Sequence, residues 1–136
     1  MQEIKELKIE AKKENLDQVQ KFVQEYMTDK GFDQSDKMKA DVVVEEIFVN
    51  ICSYAYEGKV GSCLIQQSFE DNKITINFID NGKEYNPLNK EDPDISLSAD
   101  DRPIGGLGIY MTKKLMDNVT YEYKNNQNKL TIIKGK

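Results

Sequence analysis

The chain has 136 residues, of which 38% are hydrophobic and 32% charged, and its formal net charge is −5. That length fits one domain over residues 1–136, and the balance of apolar and charged residues is typical of a folded protein with a core. The negative charge argues against a nucleic-acid-binding surface, which needs clustered positive charge. It leaves a small phosphate ligand open, because backbone amides can bind one.

Membrane and zinc-dependent functions also find little support in the sequence. No apolar run approaches the length of a transmembrane helix, and the N-terminus has no apolar signal-peptide core. We therefore expect a cytoplasmic protein without a membrane partner. With two cysteines and no histidine in the chain, the sequence argues against a zinc site and against a histidine-activated nucleophile.

The first half of the chain predicts a strand and two helices. Apolar residues at 4, 7 and 9 indicate a strand, and a helical stripe over residues 16–27 follows Asn15, a candidate N-cap, and ends at Gly31. Ser35 is the predicted cap of a second helix, which runs to about Tyr56 and stops before Gly58.

The second half predicts two hairpins separated by a long loop and a helix. Strands are expected at 64–69 and 74–79 with a turn at 70–73, and at 119–123 and 130–133 with a turn at 125–128. Residues 83–104 hold all three prolines and show no apolar period, as in functional or disordered loops. This order predicts an α/β two-layer sandwich, a mostly antiparallel mixed sheet with about three helices on one face.

The second helix carries a polar pair on the side opposite its apolar face. Glu46 and Asn50 lie one turn apart among valines, which suggests that they face a pocket. A carboxylate and a carboxamide at this spacing can hold a divalent cation and a water together. The alternative is that Glu45 and Glu46 only solubilise an exposed helix edge.

Two glycine-containing motifs follow. Asp80 ends a strand and Gly82 comes two residues later, so the carboxylate could accept an N–H from the exocyclic amine of a base while the glycine admits a flat ring. The segment from Gly105 to Gly108, sequence GGLG, precedes a helix, where backbone N–H groups can bind an anion. Ordinary turns are the alternative explanation for both motifs.

Taken together and in this order, the helix pair, the Asp-x-Gly, the long loop and GGLG resemble the GHKL superfamily of ATP-binding domains. Within it, the chain is most similar to the stand-alone bacterial serine kinases that act as anti-sigma factors. The stretches that carry this resemblance are AYEG at 55–58, IDNGKEYNP at 79–87 and GGLGIYMTKKLMDNVTYEY at 105–123. The resemblance implies a Bergerat-type ATP-binding fold in which residues 83–104 form the ATP lid.

The resemblance also implies roles for individual residues. Glu46 would be the base that polarises the attacking hydroxyl, and Asn50 the magnesium ligand that bridges to the phosphates. Asp80 would bind the adenine amino group, with Gly82 under the ring. The phosphate-binding turn would be formed by Gly105, Gly106, Leu107 and Gly108. The hydroxyl that helps bind adenine would be that of Thr131.

The implied activity is phosphoryl transfer from Mg-ATP to serine or threonine of a small STAS-type antagonist protein, by a domain that also binds a sigma factor and can form a homodimer. The chain departs from the family at Tyr54, where many relatives have a basic residue, often histidine. Arg102, Lys113 and Lys114 are candidates to supply the missing positive charge. The alternative function is a nucleotide-dependent binding module that sequesters a sigma factor or another partner and is catalytically weak.

Overall fold

The computed structural model of the protein describes residues 3–89 and 107–136. Helices and strands in these two ranges follow the predicted order: β1 (Lys5–Glu10), α1 (Leu16–Asp29), α2 (Gln34–Asn50), β2 (Ser62–Glu70), β3 (Lys73–Asp80), α3 (Leu107–Leu115), β4 (Asn118–Lys124) and β5 (Gln127–Gly135). Helix α2 continues without interruption into a π-helical turn at Ile51–Ala55. Short 3-10 turns occur at Lys13–Asn15 and Pro87–Asn89.

The strands form one sheet in the order β1-β2-β3-β5-β4. Every ladder between the described strands is antiparallel, so the sheet contains no parallel pair there. The predicted α/β two-layer architecture is confirmed. The central position of β3 places its last residue, Asp80, between β2 and β5, opposite Cys63 and Asn128.

Both hairpins close with two-residue turns. Asp71 and Asn72 join β2 to β3, and Asn125 and Asn126 join β4 to β5, all four with φ between 54° and 63°. Positive φ at both central residues is the type I′ turn that matches the twist of antiparallel strands, and Asn and Asp tolerate it. The second turn is thus shorter than the predicted 125–128, and β5 begins three residues earlier than predicted, at Gln127.

The core lies between the helices and one face of the sheet. Along β3, Ile74, Ile76 and Phe78 are buried in alternation, as predicted for a strand with one covered face. They pack into one cluster with residues from α1, α2 and β5, including Val19, Val23, Val44, Phe48, Leu130 and Ile132. Alternate residues along β5, such as Leu130 and Ile132, therefore share the covered face, while the residues between them point to the other side.

The helix ends show which caps were predicted correctly. Gly31 follows α1 with φ 82°, and Phe32 N–H donates to the carbonyl of Met27 at 3.0 Å, a Schellman arrangement that confirms the predicted stop. The predicted cap at Ser35 was wrong, because Asp33 caps α2 and its Oδ1 accepts from Asp36 N–H at 2.8 Å. Asn15 precedes α1, but its side chain donates to the carbonyl of Glu10 instead of capping the helix.

Helices in the described ranges are too short or too polar for a transmembrane span.

Candidate functional site

Asp80 is a buried carboxylate at the end of β3. Its side chain is 5% exposed, and its Oδ1 accepts two hydrogen bonds of 2.9 Å, from Gly82 N–H and from the Asn128 side-chain amide. Burial raises the pKa of Asp80, and the two hydrogen bonds act in the opposite direction. Within residues 3–89 and 107–136 no donor reaches Oδ2, so this oxygen can accept a hydrogen bond from a ligand.

The loop after Asp80 is attached to the end of α2. Ala55 accepts a hydrogen bond from Lys83 N–H at 3.0 Å, and the Tyr56 hydroxyl accepts one from Asn81 N–H at 2.9 Å. A Cβ at Gly82 would lie 2.2 Å from the carbonyl oxygen of Ala55, a distance that only a glycine avoids. The helix backbone therefore requires a glycine at position 82, and the expected contact of Gly82 with a flat ring stays a prediction.

Glu46 and Asn50 form the second part of the site. They lie one turn apart on α2, both are half-buried, and Asn50 Nδ2 donates to Glu46 Oε1 at 3.0 Å. Because the amide nitrogen is bonded to Glu46, the Asn50 Oδ1 is left as the atom that can meet a cation. Asn50 therefore faces a cavity and holds the half-buried Glu46, whereas the alternative of a fully solvated edge applies to Glu45, which is exposed.

Gly108 lies directly against this pair. A Cβ at Gly108 would be 1.9 Å from the Glu46 carboxyl carbon, so any side chain there would displace the carboxylate. Gly108 is in the first turn of α3, where N–H groups have no acceptor within the helix and the helix dipole favours anions. The close contact between α3 and Glu46 thus brings an anion-binding helix end beside a carboxylate and an amide.

A single cavity connects the two parts. Asn50 and Asp80 both line it, and its walls are largely apolar. Tyr54 and Tyr85 also line it, and their rings pair at a centroid distance of 6.0 Å. Side chains from α2, β3, α3 and β5 complete the walls, among them Ile47, Ile51, Phe78, Ile109 and Leu130. This shape suits a flat apolar ring whose edge carries a hydrogen-bond donor.

Comparison with known proteins agrees with this geometry. The sequence profile of the histidine kinase-like ATPase domain matches residues 9–134. The chain belongs to this family. It is also 30% identical over 118 residues to proteins named serine-protein kinase RsbW from Bacillus cereus (strain AH820), Bacillus anthracis (strain CDC 684 / NRRL 3495) and Bacillus thuringiensis (strain Al Hakam). The match covers 84% of this chain and 74% of each relative.

A histidine kinase-like ATPase domain implies ATP binding, and the residues present fit an adenine nucleotide. Asp80 offers an acceptor at the inner end of an apolar cavity, where the amino group of adenine needs one. Gly108 lies in the first turn of α3, whose backbone N–H groups can bind a phosphate.

The structure brings together five of the predicted site residues: Glu46, Asn50, Asp80, Gly82 and Gly108. Leu107 begins α3, while Gly105, Gly106 and the predicted lid from residue 90 to 104, with Arg102, lie outside the described residues. Thr131 does not join the group. It lies on the uncovered face of the sheet, and its hydroxyl donates to Asn77 Oδ1 at 2.7 Å.

The residue of β5 that lies beside Asp80 is Asn128 and not Thr131, and sequence reasoning missed it. It is 6% exposed and lies directly across from Asp80 in the β3–β5 ladder. Two signals could have found it. Alternation backward from Ile132 and Leu130 puts Asn128 on the covered face, and a two-residue turn at 125–126 places it inside β5.

Proposed function

We propose that this chain is an ATP-dependent serine/threonine-protein kinase of the anti-sigma-factor type. It would bind Mg-ATP and phosphorylate a small STAS-type antagonist protein in a partner-switching system. The observation that carries the proposal is the Glu46 carboxylate, which is bonded to Asn50 and lies against Gly108 at the start of α3. The name of the relatives, serine-protein kinase, supports the same reaction.

Glu46 would act as the general base. Within the described residues the Glu46 carboxylate accepts one hydrogen bond, through Oε1, and its Oε2 can accept the proton of a serine hydroxyl. Gly108 supports this role because only a residue without a side chain lets the start of α3 lie against the carboxylate.

Asn50 would hold Mg²⁺ through Oδ1, while Nδ2 keeps its bond to Glu46. When bound, the metal would neutralise negative charge on the phosphates. The backbone N–H groups of the first turn of α3 would bind phosphate oxygens, which orients the terminal phosphoryl group toward Glu46. At the other end of the cavity, Asp80 would fix the adenine ring.

A nucleotide-gated binding module is the second candidate function, in which the chain sequesters a sigma factor or another partner without efficient transfer. Tyr54 favours it, because this uncharged residue lines the cavity where many relatives have a basic residue. Among the described cavity residues Lys83 is the one with a positive charge, and its Nζ pairs with Glu57 Oε1 at 3.1 Å.

Phosphoserine formation on a partner tests the proposal. The tagged chain is incubated with Mg-ATP and the proteins that co-purify with it, and phosphopeptides are identified by mass spectrometry. We expect phosphoserine or phosphothreonine on a small partner with the wild-type chain, and its loss with Glu46→Gln. Partner release on exchange of ATP for ADP, with no phosphopeptide, would replace the kinase by the binding module. A homodimer remains a prediction that sedimentation of the same sample would test.

A further inference from the structure

Asn128 uses every polar atom of its side chain within the site. Nδ2 donates to Asp80 Oδ1 at 2.9 Å and to the Lys83 carbonyl at 2.8 Å. Its Oδ1 accepts from Tyr85 N–H at 3.1 Å and from the Tyr121 hydroxyl. These four bonds fix the orientation of the amide, because a rotated amide would set its oxygen against two acceptors.

The same bonds fix Asp80. Its Oδ1 receives N–H groups from both Gly82 and Asn128, so the carboxylate cannot rotate without breaking two hydrogen bonds in a buried place. Oδ2 is the oxygen that remains for a ligand. Asn128 also ties Asp80 to the backbone of Lys83 and Tyr85, the start of the segment that follows the Asp-x-Gly motif.

We propose that Asn128 is a positioning residue for base recognition, which acts through Asp80 by holding Oδ1 so that Oδ2 accepts the exocyclic amine of adenine. This inference rests on the proposed nucleotide binding and deepens it. Asn128 need not touch the base itself; the contact belongs to Asp80. The Asn128 amide is a neutral donor, so it hydrogen-bonds the Asp80 carboxylate without adding a second titratable group.

Three other titratable groups face Asp80 at this end of the cavity. Cys63 on β2, Tyr56 after α2 and Tyr121 on β4 face it, and burial raises the pKa of all three, that of Cys63 to about 12. These groups are therefore uncharged at neutral pH. Lys83 lines the same cavity, but its Nζ pairs with Glu57. The donors on Asp80 Oδ1 are thus neutral N–H groups.

The variant Asn128→Asp tests the proposal through its pH profile. It keeps the size of the side chain but sets a second carboxylate at hydrogen-bond distance from Asp80, so the pair retains one shared proton as pH falls. As pH rises the pair loses this proton and the two carboxylates repel, and we expect affinity for Mg-ADP to fall at least about tenfold. As pH falls the shared proton replaces the donor to Asp80, although not the donor to the Lys83 carbonyl, so the ratio of variant to wild-type Kd should decrease. Taking the ratio cancels the titration of the nucleotide itself.

A second variant keeps the test informative if Asn128→Asp does not fold. Asn128→Ala removes the donor, so the pKa of Asp80 should rise further. The pH at which Mg-ADP affinity is lost on acidification should therefore move upward relative to wild type. Thr131→Val is the matched control, because Thr131 lies three residues along β5 on the opposite face and bonds Asn77. Its affinity and pH profile should equal those of the wild type.

The outcomes separate the inference from the function on which it rests. Wild-type chain that binds no Mg-ADP at any pH would contradict the nucleotide proposal itself. Wild-type binding together with an Asn128→Asp ratio that is constant over pH, or an Asn128→Ala profile that coincides with wild type, would overturn the role of Asn128 alone. An equal loss in Thr131→Val would also overturn it, because the effect would then report general damage to β5. Circular dichroism of each variant accompanies the titrations.

Discussion

The two ends of the cavity are built differently. At the sheet end, Asp80 and Asn128 are buried and joined to each other and to the following loop by hydrogen bonds of 2.8 to 3.1 Å. At the helix end, Glu46 and Asn50 are half-buried and share one hydrogen bond, beside a glycine. In the part of the chain that the structure describes, the hydrogen bonds of the sheet end are made before a ligand arrives, whereas the helix end keeps atoms that the proposed function assigns to a metal, a phosphate and a hydroxyl.

This difference suggests a division of labour. A buried polar array that is held in place by several hydrogen bonds costs little to reorganise and can select one base. A half-buried pair with uncommitted atoms can change partners as charge moves during transfer. Each variant below therefore disturbs one end and asks whether the other end is affected.

The largest effect is expected at Glu46. Glu46→Gln keeps the shape and the bond from Asn50, so nucleotide affinity should stay within about twofold, while the transfer rate falls roughly a hundredfold or more, the usual contribution of a positioned base. Single-turnover transfer and calorimetry on the same sample measure both. Asn50→Ala is the counterpart, and it should weaken Mg-ATP binding as well as transfer. Equal loss of affinity in both variants would contradict the separate roles.

At the sheet end, Asp80→Asn should lower adenine nucleotide affinity by at least about tenfold, because the new amide can present a donor to the donor of the base. GTP should bind weakly to the wild type, since guanine carries an oxygen where adenine carries the amine. Calorimetric titrations with Mg-ATP and Mg-GTP check both expectations. Similar affinities of the wild type for the two nucleotides would show that Asp80 does not read the base.

Gly108→Ala should affect transfer more than folding. The added Cβ would meet the end of the Glu46 side chain, which can move aside at little cost, but the carboxylate then leaves its position next to Asn50. We expect a transfer rate about tenfold lower with a thermal midpoint close to that of the wild type. The matched control is Met111→Ala, at an exposed residue one turn further along α3. A transfer rate that Gly108→Ala leaves unchanged would argue against the contact.

Asp80→Asn should also stabilise the free protein at neutral pH. Burial raises the pKa of Asp80 in the folded protein, so folding disfavours its ionised form. The stability that the neutral acid contributes is therefore lost as pH rises through the folded-state pKa. The uncharged amide escapes this cost. Melting curves should show an increase in the thermal midpoint at pH 8 that shrinks as pH falls. A gain that is independent of pH would point to another cause.

The smallest effect concerns Tyr54. Tyr54→His breaks the ring pair with Tyr85 and places an imidazole where the family resemblance implies a basic residue. We expect a several-fold faster transfer at pH 6, where histidine is partly charged, and a smaller gain at pH 8. Tyr54→Phe is the control, since it keeps the ring without the charge. Identical transfer rates for the two variants at both pH values would contradict the claim that a missing positive charge at position 54 limits transfer.

Much of the fold was predictable because its signals are local. Alternation along β3 and the glycine after α1 each depend on a few neighbouring residues, and both predictions are confirmed. The cap of α2 was misplaced by two residues because Asp33 and Ser35 are both good caps, and the choice depends on where the chain enters the helix.

The site was predictable in part for the same reason. The spacing of Glu46 and Asn50 follows from helix geometry alone. The contacts of Gly82 with Ala55 and of Gly108 with Glu46 join residues from different elements, so the sequence gives no sign of the neighbour. Asn128 was missed because the asparagine-rich residues 125–128 were all assigned to the turn. The turn has only two residues, so Asn128 lies in β5, across from Asp80.

Hydrogen exchange tests the contrast between the two ends most directly. Amides of residues 82, 83 and 85 are hydrogen-bonded to Asp80, Ala55 and Asn128, so a peptide over 81–86 should exchange slowly without nucleotide and change little on binding. A peptide over 107–111, at the start of α3, should exchange fast and become protected by a non-hydrolysable Mg-ATP analogue. Slow exchange at 107–111 in the free protein, or no protection there with the analogue, would contradict the contrast between a sheet end that is fixed in advance and a helix end that the ligand completes.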